Sequence, residues 1–382
     1  PELIINPANH HDTVGEVLSA SRDELESVLD SAKPWLSSSA VQRAATLRSA
    51  AEHLESNSGE LFTMLCRESG KTISDAVAEL REAVDFLRYY ANQCEGYEGA
   101  PPRGIICCIS PWNFPLAIFM GQVAAALAAG NAVIAKPSEL TPLIAFRATE
   151  LLHEAGVPIA SMQLVLGTGQ EIGQHIVGDS RIAGVCFTGS TQTAQSIHQA
   201  MATNLAPEAL LIAETGGLNA GIIDSTALPE QAIRDTVASA FQSAGQRCSA
   251  LRILYVQEDI ADDLLEMLYG AMDELSLSDP KRLSTDMGPV ISNTAKQKID
   301  TYIADANAKG KLLKQMRTPE GGSFVGPAVI EIDSIKSLGE EIFGPVLHVV
   351  RFQSDEYESI IDDINRSGYG LTFGLHTRIS QR

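Results

Sequence analysis

Residues 104–136 read GIICCISPWNFPLAIFMGQVAAALAAGNAVIAK. A short apolar run, a loop stiffened by two prolines, an Ala- and Gly-rich stretch of helical length and a second apolar run follow one another. That order suits a strand, a crossover helix and a parallel strand, because parallel neighbours need a long connection across one face of the sheet. Downstream the alternation continues, with TPLIAFRATELLHEAG and QEIGQHIV in helical period and MQLVLG and AGVCFTGS as strands. A second series begins near Leu210 with ALLIAE and LNAGIID. It runs on through a helix around 232–241, the strand RILYVQ, a helix over 261–275 and a helical run over 294–308. Upstream, residues 21–94 carry helix-period patterns such as ELESVLDSAKPWL and QRAATLRSAAEHLE. Strand and helix taking turns predicts an α/β protein of a nucleotide-binding type. Gly216 and Gly217 form a natural hinge between two such domains, and the Gly- and Pro-containing segment 92–103 reads as the clearest linker.

Composition narrows the partners. The chain has 382 residues, enough for two or three domains, and 45% hydrophobic side chains supply sizeable cores. Forty-eight acidic against twenty-eight basic residues give a formal charge of −20, which repels nucleic-acid phosphates and anionic lipid. The six cysteines, at positions 66, 94, 107, 108, 186 and 248, form no C-x-x-C pair, so a reducing cytoplasmic setting and no structural metal are expected. The longest apolar stretch, 116–135, is interrupted by Gln122 and Asn131 and falls short of a membrane span. The opening PELIINPANHHD has no signal-peptide layout and reads as a cut into a domain. The close, GLHTRISQR, follows an apparent strand without a closing helix, so the second domain is expected to be incomplete at its C-terminus.

Several strand ends carry candidate chemistry. In FQSAGQRCSA, residues 241–250, a helical pattern ends at Gly245 and Cys248 follows in a loop that could expose a thiolate. A cysteine after glycine also serves as a small buried hydrophobe. In LIAETGGLN an apolar strand delivers Glu214 to a glycine pair, where it is a base or merely a cap or ion-pair partner. In SPWNFP the prolines hold Asn113 as a stiff amide donor suited to an oxyanion, or Trp112 and Phe114 pack while Asn113 makes a turn. In AKPSE, Lys136 and Glu139 could bond ribose hydroxyls, although Glu139 also suits the following helix N-terminus. FTGSTQTA ends a strand at Gly189 and opens a helix at Ser190, an arrangement that suits a pyrophosphate. Gly167, Gly169 and Gly173 sit one residue off the dinucleotide fingerprint and are expected to form a turn. EEIFGPV, residues 340–346, has no role dictated by its spacing.

Taken in order, SPWNFP, AKPSE, FTGST, E-T-G-G, GQRC and EEIFGPV resemble the aldehyde dehydrogenase superfamily along practically the whole chain. The similarity is closest to the L-glutamate γ-semialdehyde (pyrroline-5-carboxylate) dehydrogenase module of bifunctional proline utilization A proteins. It is carried by ISPWNFPLAIF, LIAETGGLNA, SAFQSAGQRCSALR, LSTDMGPVI and FGPVLHVVRF. The superfamily's usual E-L-G-G-K has Thr215 and Leu218 here in place of Leu and Lys, with Glu214 retained.

The resemblance implies an α/β fold with a Rossmann-like NAD-binding domain over 1–214 and a catalytic domain over 215–382. A linker or oligomerisation segment would lie near 92–109. It further implies Cys248 as nucleophile, Glu214 as general base and Asn113 as oxyanion donor beside the Cys248 backbone N–H. Lys136, Glu139, Gly189, Ser190, Trp112 and Gly216 would contact NAD. Glu341 and Phe343 would hold its nicotinamide ribose and ring, and Ser249 would meet the substrate carboxylate. The implied partners are a small aldehyde, further copies of the chain in a homo-oligomer and, in a bifunctional protein, a flavin-dependent proline dehydrogenase domain. Family members carry a Gly-rich segment past the last residue here that completes the aldehyde site. Two other readings compete: a CoA-acylating semialdehyde dehydrogenase, where a thiol takes the acyl group, and a catalytically silent structural relative. Glu214 favours water as the acyl acceptor, since a poor nucleophile needs a base.

Overall fold

The computed structural model describes residues 1–96, 99 and 101–381. The chain divides into two compact units, the first comprising 1–6, 11–69 and 73–215, the second 7–10, 70–72 and everything from Gly216.

The first unit opens with an antiparallel pair, β1 (Glu2–Ile5) and β2 (Thr13–Val17), where the sequence pattern predicts no strand. Both strands are short, and their pairing depends on the turn closed by Asn6 N–H to Asp12 O, so local periodicity does not reveal them. A helical layer follows: α1 (Arg22–Ser31), α2 (Ala40–Ser56), α3 (Ser58–Glu68) and α4 (Ile73–Glu95). Capping boxes start the first two, Ser21 with Glu24 and Ser39 with Gln42, each hydroxyl accepting from the backbone N–H three residues on.

The sheet of this unit comprises β3 (Ile105–Ile109), β4 (Ala132–Lys136), β5 (Met162–Leu164), β6 (Ile182–Gly189) and β7 (Leu210–Thr215), all parallel in the order β5-β4-β3-β6-β7. The crossovers are α5 (Ala117–Ala128), α6 (Pro142–Glu154), the single turn α7 (Gln174–Val177) and α8 (Thr191–Asn204). α5 is apolar on every face apart from Gln122 because it lies between sheet and helical layer, and Gly121 lets it approach Phe86 of α4 so closely that an added Cβ would sit 3.0 Å from the ring. Three expectations need correction here. The run ALLIAE forms β7, paired with β6 in the first sheet, so it does not start the second series. QEIGQHIV makes a wide helical turn over Gly169–Gly173 before α7 instead of one regular helix. The linker expected near 92–109 shrinks, since α4 continues to Glu95 and 105–109 is the buried central strand, while positions 97, 98 and 100 lie outside the described residues.

The second unit is a six-stranded sheet flanked by helices. In chain order its elements are β8 (Ala220–Ile223), α9 (Pro229–Phe241), β9 (Ile253–Gln257), α10 (Glu258–Asp273), α11 (Asn293–Ala308), β10 (Leu312–Gln315), β11 (Ala328–Glu331), β12 (Val346–Phe352), α12 (Tyr357–Arg366) and β13 (Phe373–His376). The strand order is β10-β11-β12-β9-β8-β13, parallel except for the antiparallel β10 at one edge. β9 is buried at every position, as a central parallel strand covered on both faces must be. No helix among the described residues is long and apolar enough to cross a membrane.

Candidate active site

Within the first unit the candidate residues share one edge of the sheet. Asn113 follows β3, Lys136 ends β4 and Glu139 follows it, Gly189 ends β6 with Ser190 next, and Glu214 is the next-to-last residue of β7, opposite Thr188. Because these strands are parallel, their carboxyl ends coincide, which is where open α/β sheets bind ligands. Asn113 is buried in its proline-bounded loop, and that loop is tied to β4 by the Ser110 N–H to Lys136 O bond of 3.2 Å. The Lys136 ammonium is also buried; it donates to Pro137 O at 3.0 Å and lies 3.6 Å from the half-exposed Glu139 carboxylate. Burial pulls the Lys136 ammonium below its ordinary range, and the Glu139 charge opposes that shift. A cleft of about 1050 Å³ opens beside this pair, lined by Lys136, Glu139, Gly169, Gln170, Gly173 and Thr193 among others. Ser190 caps α8, accepting from Thr193 N–H at 3.2 Å. The glycine pattern at 167–173 therefore does more than turn the chain, since two of its members form a wall of the cleft. Glu214 itself is solvent-exposed on an edge strand.

In the second unit the candidates gather at the opposite kind of edge, the amino ends of parallel strands. Gly216 precedes β8, Cys248 and Ser249 precede β9, and Glu341 and Phe343 precede β12. Cys248 is partly exposed, and the backbone N–H groups of Ser249 and of Cys248 itself act on its sulfur. Burial nevertheless holds the thiol above its ordinary pKa, with the N–H groups and Arg252 pulling down and Glu341 pushing up. Alkylation of this thiol by iodoacetamide should therefore keep accelerating above the usual thiol range. A pH profile of single-site labelling that levels off well below pH 9 would contradict that environment.

Two buried polar residues to which the sequence assigns no role build the nucleophile loop. Asn219 Nδ2 donates to Cys248 O at 2.6 Å and to Ala250 O at 2.9 Å, and its Oδ1 accepts from Thr372 N–H at 3.1 Å. The Arg252 guanidinium, 1% exposed, donates to the carbonyls of Gly245 (2.7 Å), Arg247 (2.9 Å) and Gly344 (3.2 Å) and to Glu341 Oε1 (2.8 and 3.0 Å). Phe343 lies across this cation, its ring centre 5.1 Å from the guanidinium carbon. A fully buried charge survives only when its donors are used, and removing the guanidinium alone would cost about 3–5 kcal/mol through the carboxylate left behind. The usable signal was an arginine at the mouth of an apolar strand. Glu341 pairs with Arg252, and a Cβ at Gly216 would overlap its other oxygen.

The backbone leading to the nucleophile is strained. Ser243 and Ala244 both have positive φ, 54° and 55°. Each costs an L-residue roughly 1–2 kcal/mol. Gly245 follows with φ +65°, and any Cβ there would strike the Gly344 carbonyl.

Known proteins resemble this chain along its whole length. The aldehyde dehydrogenase family profile matches residues 3–382. Bifunctional protein PutA of Klebsiella aerogenes is 50% identical over 99% of this chain and 30% of its own length, so the chain spans under a third of that relative. The 1-pyrroline-5-carboxylate dehydrogenase of Anoxybacillus flavithermus is 34% identical over 96% of the chain and 76% of its own length. Among solved structures, proline utilization A with proline bound in remote sites superposes with a TM-score of 0.93 at 48% identity, covering 96% of this chain and 40% of that one. The 1-pyrroline-5-carboxylate dehydrogenase from Thermus with bound NAD gives 0.92 at 32% identity, covering 99% and 78%. The α/β fold is thus that of the aldehyde dehydrogenases, and the chain belongs to the aldehyde dehydrogenase family.

Proposed function

We propose that this chain forms the aldehyde-oxidising part of an enzyme that converts L-glutamate γ-semialdehyde to L-glutamate with NAD. The observation that carries the reading is the Cys248 loop: a partly exposed thiol with two backbone N–H groups at its sulfur, aimed by the buried Asn219 and Arg252. The names of the 1-pyrroline-5-carboxylate dehydrogenase and PutA relatives supply the substrate.

In this reading the Cys248 thiolate adds to the aldehyde carbon, giving a thiohemiacetal whose oxyanion accepts from the Asn113 amide and the Cys248 N–H. A bound NAD would supply the hydride acceptor, and loss of hydride would leave the acyl group as a thioester on Cys248. Glu214 then removes a proton from water as it attacks the thioester, and the carboxylate product leaves with the thiol restored. Ser249, beside the nucleophile, donates to the far carboxylate of the substrate. Lys136, Glu139, Gly189 and Ser190 hold the adenosine half of the dinucleotide, with Trp112 and Gly216 flanking it. Glu341 and Phe343 serve the nicotinamide half once Glu341 is free of Arg252. The cleft beside Lys136 and Glu139 fits such a group, since it offers a buried cation and a carboxylate at the carboxyl edge of the sheet. Residues 1–214 act as the NAD-binding domain and 215–382 as the catalytic domain. The enzyme acts in the cytoplasm as a homo-oligomer, and in a longer protein it is joined to a flavin-dependent proline dehydrogenase module, a reading supported by the word bifunctional in the PutA name and by the chain spanning 30% of that relative.

Cofactor choice follows from Glu139. A half-exposed carboxylate can accept from two free ribose hydroxyls but repels a 2′-phosphate, so kcat/KM with NAD should exceed that with NADP by about tenfold or more. Steady-state rates of the full-length enzyme with both cofactors check this, and equal efficiency would remove Glu139 from the ribose.

A further inference from the structure

Two glutamates of the helical layer are almost completely buried, Glu68 at the end of α3 and Glu79 in α4, each 1% exposed. Each reaches across to the first turn of a different crossover helix. Glu79 Oε1 accepts from the backbone N–H groups of Leu116 (2.8 Å) and Ala117 (3.3 Å), where α5 begins. Glu68 accepts with both oxygens, from Leu143 N–H at 2.7 Å and Ile144 N–H at 2.9 Å, where α6 begins.

Neither helix caps itself. The residue before α5 is Leu116, which has no side-chain acceptor, and the residue before α6 is Thr141, whose buried hydroxyl makes no hydrogen bond at all. Pro142 has no N–H, so Leu143 and Ile144 are the donors a local cap would normally serve. Other helices of the same unit show the local solution, with Ser21, Ser39 and Ser190 capping α1, α2 and α8. Burying two carboxyl groups, with burial pushing Glu68 up to about 8, is an expensive way to supply what one serine could, unless the long reach has its own effect. The loops ahead of these two helices carry candidate site residues. One is 110–116, which carries Asn113 between β3 and α5; the other is 137–141, which carries Glu139 between β4 and α6. A local cap would satisfy the helix but leave the loop free to move with it, whereas a carboxylate fixed in the helical layer pins the far end of the loop to a rigid body.

We propose that Glu79 and Glu68 are positioning residues, Glu79 for the oxyanion donor Asn113 and Glu68 for the ribose-binding pair Lys136 and Glu139. The kinetic part of this proposal rests on the functional reading above; the structural part does not. The two anchors act on separate loops, so their loss has separate consequences.

The test uses the full-length enzyme and four variants, Glu79→Leu, Glu79→Gln, Glu68→Leu and Glu68→Gln. At saturating NAD, Glu79→Leu should slow the pre-steady-state NADH burst by roughly ten- to a hundredfold, with NAD affinity changed by less than about threefold. Glu79→Gln, which keeps an acceptor at the same place, should recover most of that rate. Glu68→Leu should weaken NAD binding by about tenfold or more and leave the burst at saturating NAD nearly intact, with Glu68→Gln, which keeps one of two acceptors, in between. A purely structural role would move both parameters together, so an identical change in both leucine variants overturns the proposal, as does a wild-type burst in Glu79→Leu. Should either leucine variant not fold, its glutamine counterpart must show the same split in milder form. Amide hydrogen exchange provides the readout that needs no activity: faster exchange over 110–117 only in the Glu79 variants and over 137–144 only in the Glu68 variants. If the parent enzyme makes no NADH from the semialdehyde, the functional reading fails, and unchanged exchange in those two segments then overturns the anchors themselves.

Discussion

Replacing Cys248 by alanine should reduce aldehyde oxidation by about four orders of magnitude or more while NAD binding stays within roughly twofold of the parent. The thiol supplies the covalent bond that turns an aldehyde into a hydride donor, and nothing else among the second unit's candidates can replace it. The Ser249 hydroxyl is a far weaker acid than a thiol, and Arg252 is occupied by carbonyls and Glu341. The methyl side chain of the variant fits the same loop, because Asn219 and Arg252 hold that loop through main-chain oxygens and not through the sulfur. Stopped-flow NADH formation with the full-length protein measures the first quantity and NAD fluorescence titration the second. Substantial turnover by the alanine variant would take Cys248 out of the mechanism. Four of the other five cysteines, Cys66, Cys94, Cys107 and Cys108, are buried, with burial pushing Cys107 up to about 12, and the partly buried Cys186 lies on β6 hydrogen-bonded to Cys108.

Glu214→Gln should separate the two halves of the reaction. The neutral amide cannot accept the proton of the deacylating water, so the variant should release one rapid equivalent of NADH per active site and then turn over some hundred- to ten-thousandfold more slowly, roughly the range a general base contributes. The exposure of Glu214 at the carboxyl end of β7 leaves it free to meet water, as a deacylating base must. Burst amplitude and burst rate should be read as separate quantities, because a carboxylate that also helps to deprotonate Cys248 would slow the burst without shrinking it. Unimpaired steady-state hydrolysis excludes Glu214 as the base. Strict dependence of the parent enzyme on CoA would instead identify an acyl-transferring dehydrogenase, in which a thiol replaces the water.

Much of this was legible in the chain itself. Runs such as IICCI and AVIAK are buried on both faces of a parallel sheet, and such strands announce themselves by unbroken apolarity. The residues that end those strands fall on one edge by geometry, while the order of their motifs, which resembles the aldehyde dehydrogenases, is what joined Asn113, Lys136, Gly189 and Glu214 into a set. What remained hidden was long-range. ALLIAE is as good a strand for either sheet, and only its pairing with β6 assigns it. Glu68 and Glu79 look like ordinary acids on amphipathic helices until the helices they reach are in place. Asn219 and Arg252 bond to carbonyls 5 to 92 positions away in sequence, and no local pattern carries that information.

The way Asn219 and Arg252 hold their loop bears on how this enzyme could change its diet. Between them they grip the main-chain oxygens at positions 245, 247, 248, 250 and 344. A carbonyl is the same in every amino acid, so the framework does not read the identity of the side chain at 249. Gly245 is held to its identity by its own backbone and Arg247 by its side-chain bond to Ser243 Oγ at 3.2 Å, whereas the Asn219 and Arg252 framework makes no demand on the side chain of Ser249. Drift or laboratory selection can therefore rewrite position 249, next to the nucleophile, and with it the shape and charge offered to a new aldehyde, without disturbing where the sulfur points.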